Sequence, residues 1–262
     1  MSKHTDFILK SITEILQGAT ISCKSVGFGI EGFPLNEYVL QSVFLKMTGF
    51  QEQKMKCICW ELATNDYEYR YSTFYSARNS IGECSCLDEK NKVYNCLIEQ
   101  VRKKRGDDTY EILSDEKYNI FNEAKRQEIE ILNNSSFSIW NDNVYKEFIN
   151  ISNTIQKECF EKSSKQKTFT LFRPKCDNCS KHINCKNIGL VDIFEILYRN
   201  RNRCAHNTTS YQHNLPTLDS LRDSRYKYEN YFVWFLVLIY IDDLIRIVYK
   251  DYLLAIENDV WN

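Results

Sequence analysis

Proline and glycine are scarce, 3 and 8 among 262 residues. With so few turn-formers a many-stranded sandwich is disfavoured and helices are favoured. Charge of one sign is lacking too. The net charge is −1, so there is no global basic field for nucleic acid, and any RNA contact has to come from local patches. No apolar run reaches the length that a bilayer requires, about 20 residues. The longest, Tyr231 to Ile241, stops at Asp242 and Asp243 and reads as a buried helix. Met1 to Asp6 lead into an amphipathic helix, so no signal peptide is expected. A serine nucleophile elbow, an H-E-x-x-H pair and a Walker loop are all missing. Gly27, Gly29 and Gly32 lack the strand–turn–helix setting of a phosphate loop.

What is present is apolar residues, at 43%, enough for a substantial core, and 11 cysteines. The cysteine number is odd and no export signal accompanies it, so reduced thiols and a cytoplasmic location are expected. One all-α domain over 1–262 is the simplest organisation. Periodicity predicts helices over 5–17, stopped by Gly18, and over 35–48 and 50–64. Tyr67, Tyr69 and Tyr71 alternate as in a strand but find no partner strand, so this segment is read as helical. Further helices are expected from Asp88 to Lys104, ended by Gly106, from Ser114 to about 133, over 140–161, over 188–205 and over 218–256.

The helix over 188–205 carries the most informative stretch, Arg199-Asn200-Arg201-Asn202-Arg203-Cys204-Ala205-His206. Leu190, Ile193, Leu197, Arg201 and Cys204 share one face. Arg201 thus lies on the apolar stripe, where a cation is costly unless paired or used. A guanidinium fork matches phosphate oxygens, and an imidazole can move a proton near neutral pH. Five residues of ideal helix turn through about 140°, so Arg201 and His206 share a face only if the helix ends before His206. The polar run Asn207 to Ser210 favours that early end. Otherwise Arg199, seven residues before His206, is the working arginine; Asn202 beside Arg201 favours Arg201. In the plainer reading the three arginines are a solvated helix end that suits the dipole, and His206 is a cap.

The R-N-x-x-x-H of Arg201, Asn202 and His206 resembles the signature of the HEPN superfamily, an arginine and a histidine a short spacer apart, often with Asn after the Arg. The resemblance is strong over 188–213 and general elsewhere. It implies an all-α, HEPN-like bundle over about 188–256, with an N-terminal helical elaboration and a Cys/Lys-rich insertion over about 162–187. It also implies a metal-independent endoribonuclease acting on single-stranded RNA, in phage defence or a toxin system, with two motifs meeting across a homodimer. His206 would activate the ribose 2′-hydroxyl, Arg201 would neutralise the phosphorane-like transition state, and Asn202 would orient one or the other. No catalytic cofactor is implied. Some antitoxin-paired members carry a Tyr two residues after the His. Thr208 stands there in this chain, so control through that tyrosine is not expected. The N-terminal half is free to serve a regulatory partner or signal. From a different class, the alternative is a non-catalytic RNA-binding or assembly module.

The insertion offers two more candidates. Cys176, Cys179, His182 and Cys185 form C-x2-C-x2-H-x2-C, a ligand set suited to structural zinc though tightly spaced; Cys159 or Cys204 could replace a member. Lys165, Lys167, Arg173 and Lys175, interleaved with Phe169 and Phe172, suit single-stranded RNA, and Arg199 and Arg203 extend that basic surface. The run Arg102 to Arg105 reads as solvated surface, the C-x-C pairs Cys57/Cys59 and Cys84/Cys86 as ordinary packing residues, and His213 as a weaker second histidine.

Overall fold

Ten α-helices and no strand occur among the residues that the computed structural model describes: 3–26, 29, 32–75, 83–156, 171, 189–206 and 224–259. They are α1 (Lys3–Leu9), α2 (Thr13–Ser22), α3 (Phe33–Asn65), α4 (Tyr67–Phe74), α5 (Leu87–Arg105), α6 (Ser114–Leu132), α7 (Ser136–Trp140), α8 (Asp142–Gln156), α9 (Leu190–His206) and α10 (Tyr231–Asp259). The all-α class is as expected.

Composition places α10 at the centre. Every residue from Phe232 to Ile245 is buried. A helix apolar all round has to be enclosed, and α5 and α6 flank it while α1, α3, α8 and α9 complete the sheath. Its own chain covers it, so its apolarity does not call for a second copy. Asn230 fixes where it starts, accepting from Phe232 N at 2.9 Å and donating to the Val144 carbonyl at 3.0 Å. The expected start near 218 is therefore too early, since Ser224–Tyr228 is a 3-10 turn.

Two other boundaries differ for tertiary reasons. The first predicted helix is two, with Gly18 inside α2 and the break at Lys10–Ile12. The backbone groups freed there are met from inside the core. Lys54 donates to the Lys10 carbonyl at 2.6 Å, Asp242 accepts from Ile12 N at 3.1 Å, and Arg246 donates to the Leu9 carbonyl at 3.0 Å. Conversely, the helices expected over 35–48 and 50–64 are the single α3, because Gly49 costs too little to break a helix whose face is buried on both sides of it. Pro34 sits in its first turn, where a missing N–H does no harm. Asp66 caps α4 by accepting from Tyr69 N at 3.0 Å, so the alternating tyrosines are helical.

α5 begins one residue before Asp88, with Cys86 at the cap, and ends at Gly106. The φ of +63° there explains the glycine. The basic run at its end is engaged rather than merely solvated. Arg102 donates to the Tyr110 carbonyl, Lys103 pairs with Asp66 and Glu68, and Arg105 pairs with Asp251. Cys57, Cys59 and Cys84 are buried packing residues, as the sequence suggested.

Candidate active site

α9 keeps the predicted stripe. Leu190, Ile193 and Leu197 are buried, and Arg201 and Cys204 follow them, half-buried, against α3, α5 and α10. The helix does not end early, because His206 is its last residue. Helical geometry then sets His206 about 140° around the axis from Arg201. The expectation of an early end is corrected; the His206 side chain itself lies outside the described residues. Arg199, which does share a face with His206, is exposed.

Arg201 turns inward because the stripe demands it, and it finds a partner there. Its Nη2 donates to Glu52 Oε2 of α3 at 2.9 Å, and its Nη1 donates to Asn202 Oδ1 at 3.0 Å. The two ion-paired side chains keep 22% and 13% of their surface exposed, so the pair lies just beneath the surface. A partly screened pair of this kind contributes about 1 kcal/mol or less. Asn202 thus holds the guanidinium of its neighbour. Arg203 donates to Asn200 Oδ1 at 3.3 Å.

A cavity of about 10 Å3 adjoins this pair, room for about one water. Thr48, Gln51, Glu52, Ser85, Lys90 and Arg201 supply its polar lining. Lys90 of α5 is 2% exposed. Among the described residues no hydrogen bond or salt bridge holds its ammonium, and Glu52, Cys84 and Cys86 act on it only electrostatically. Burial pulls its ammonium down to about 8, a fall that Glu52 opposes and Arg201 reinforces. Gln51 donates to the Leu238 carbonyl at 3.1 Å, while its buried Oε1 has no partner. Two cations therefore share the field of one carboxylate in a low-dielectric place, with an unused amide oxygen beside them. Such a site can exchange that carboxylate for another anion.

Glu52, Lys90 and Gln51 were not among the sequence candidates. Lys90 was open to the inference used for Arg201, since it stands on the same stripe as Val93, Tyr94, Leu97 and Val101, all buried. The basic arm (Lys165, Lys167, Arg173, Lys175) and the zinc set (Cys176, Cys179, His182, Cys185) lie outside the described residues, as do Thr208 and His213. Within that insertion Leu171 is described and fully buried. Its N donates to Asn91 Oδ1 at 2.9 Å, which ties this residue to α5. Among the described residues no His, Cys, Asp or Glu cluster has metal-binding geometry, and no helix is long and apolar enough to cross a membrane. Comparison with protein families, curated proteins and solved structures finds no match.

Proposed function

We propose that the chain is a HEPN-type endoribonuclease that cleaves single-stranded RNA without a catalytic metal. The observation that carries this reading is the surplus of positive charge at the end of the R-N-x-x-x-H helix, where Arg201 and Lys90 share the one carboxylate of Glu52. In the proposed reaction His206 removes the proton of a ribose 2′-hydroxyl. That oxygen bonds to the adjacent phosphorus as the bond to the 5′-oxygen breaks, leaving a 2′,3′-cyclic phosphate. The departing alkoxide takes a proton from a second histidine. Arg201 stabilises the charge that grows on the phosphoryl oxygens, an interaction stronger in the transition state than before it. Because helical phase separates Arg201 from His206 of its own chain, the working unit is a homodimer in which each arginine meets the other copy's histidine. The biological setting in keeping with this chemistry is phage defence or a toxin system.

The test is pure protein with labelled single-stranded RNA in EDTA. Cleavage with cyclic-phosphate ends is expected, falling at least about a hundredfold in Arg201→Ala and His206→Ala while circular dichroism stays native. Mixing the two inactive variants should restore part of the activity through hybrid dimers. Cleavage that needs added magnesium, or ends without a cyclic phosphate, refutes the mechanism. The same phase argument favours a second reading, a module that grips RNA phosphate through Arg199 and Arg203 without cutting it. That reading prevails if RNA binds in a salt-dependent way and stays intact.

A further inference from the structure

Lys90 is a buried cation whose place the fold alone does not explain. A buried ammonium normally has an ion-pair partner or a full set of acceptors. This one has neither, although its cavity also contains an unpartnered amide oxygen on Gln51 and a guanidinium on Arg201. It does not cap a helix or meet a carbonyl, and its position one turn into α5 is set by the buried stripe of that helix. The only described carboxylate that lines the cavity is Glu52, and Arg201 already holds it at 2.9 Å.

We infer that the cavity between α3, α5 and α9 is a phosphate-oxyanion subsite closed by its own glutamate. The Glu52 carboxylate occupies the place of the phosphate oxygens, and Lys90 is the second cation of the subsite. The ligand class follows from the donor set. A guanidinium fork and a point ammonium on adjacent walls match a tetrahedral oxyanion with several acceptor oxygens better than a second carboxylate. Ser85 on the lining adds a hydroxyl donor, whereas the Thr48 hydroxyl already donates to the Leu45 carbonyl at 2.9 Å. In the closed form the space, about 10 Å3, is too small for a phosphate group, so entry requires Glu52 to swing out towards solvent. Its partial exposure gives it somewhere to go. A phosphate pays for this displacement by meeting Lys90, which Glu52 leaves unsatisfied. The inference rests on the ribonuclease reading only for the source of the phosphate, a nucleic-acid backbone rather than a free ion.

The experiment measures binding to the full chain by calorimetry, with inorganic phosphate and with a 2′-O-methyl single-stranded oligonucleotide that cannot be cut. Glu52→Gln should bind inorganic phosphate at least tenfold more tightly than the unaltered chain. Adding Lys90→Met should abolish that gain. The same order with the oligonucleotide assigns the site to nucleic-acid phosphate, whereas the order with inorganic phosphate alone assigns it to a free anion. Equal affinities in all chains, with native circular dichroism, overturn the subsite. Should Glu52→Gln fail to fold, the thermal midpoint decides: phosphate must raise it in the unaltered chain and not in Lys90→Met, and equal or absent shifts overturn the proposal. Cleavage without these affinity differences sinks the subsite alone. The affinity differences without cleavage sink the ribonuclease reading alone.

Discussion

Of the three lysines buried among the described residues, Lys54 and Lys90 have opposite surroundings. Lys54 of α3 is 1% exposed, pairs with Asp242 of α10 at 2.6 Å and donates to the Lys10 carbonyl at the same distance. Asp242 in turn accepts from Ile12 N, and Arg246 joins the network through Asp243 and the Leu9 carbonyl. Every charge there has a counter-charge or a backbone partner, and together they stitch the break between α1 and α2 to the two longest helices. Lys90 is as deeply buried and has none of this. A closed network fixes an architecture. An open one stores an unmet interaction, which is how a binding site differs from a structural clamp.

The largest effect should come from opening the closed network. Lys54→Met should cost about 3–5 kcal/mol, because it leaves the Asp242 carboxylate buried without its counter-charge and the Lys10 carbonyl without a donor. Burial works against both charges of the pair, drawing Lys54 down and Asp242 up, so the pair is no great net gain over a neutral substitute. The double variant Lys54→Met with Asp242→Asn should therefore lose less than Lys54→Met alone, since the amide oxygen can still accept from Ile12 N. Urea unfolding of the three chains decides the matter. A double variant as unstable as the single one would show that the pair itself, and not the stranded charge, supplies the stability.

The same contrast bounds what the sequence could reveal. The all-α class, the burial of α10, the Gly106 stop and the inward phase of Arg201 all follow from local spacing and composition. What joins α3 to α9 does not, because Glu52 and Arg201 are 149 positions apart and no local pattern pairs them. The split between α1 and α2 is of the same kind. Its breaker is not a residue at 10–12 but charges on α3 and α10. Lys54 and Lys90 could both have been found by the stripe argument applied to Arg201, since each shares a face with buried apolar residues a turn away. Whether such a cation is clamped or unmet depends on helices distant in sequence.

Lys90→Met is the inverse experiment. Methionine matches the lysine stem in length and needs no partner, and Glu52 keeps its pair with Arg201. The variant should be more stable than the unaltered chain at neutral pH, by on the order of 1–3 kcal/mol. Thermal and urea unfolding should agree. A loss of stability comparable to that of Lys54→Met would mean that Lys90 is a second clamp, and the contrast between the two sites would collapse. A gain in stability together with weaker phosphate binding is the trade expected where a strained group is kept for function.

The smallest effect, and the sharpest, lies in pH dependence. The Lys90 ammonium is drawn from 10.5 to about 8 by burial. A base with a lowered value binds fewer protons folded than unfolded across that interval. Stability from this group therefore rises with pH between about 8 and 10.5 and is flat below 8, where both states are protonated. Lys117, also buried and lowered to about 8, adds the same sign in the same window, so the unaltered chain alone cannot separate the two. The difference between chains can. The stability advantage of Lys90→Met should be constant from pH 6 to about 8, then shrink by at most about 1.4 kcal/mol per pH unit up to about 10.5. Lys117 is common to both chains and cancels. An advantage that stays level across this range would mean that folding leaves the proton affinity of Lys90 unchanged, so that its charge is satisfied in the folded chain, and the contrast with Lys54 would lose its unmet cation.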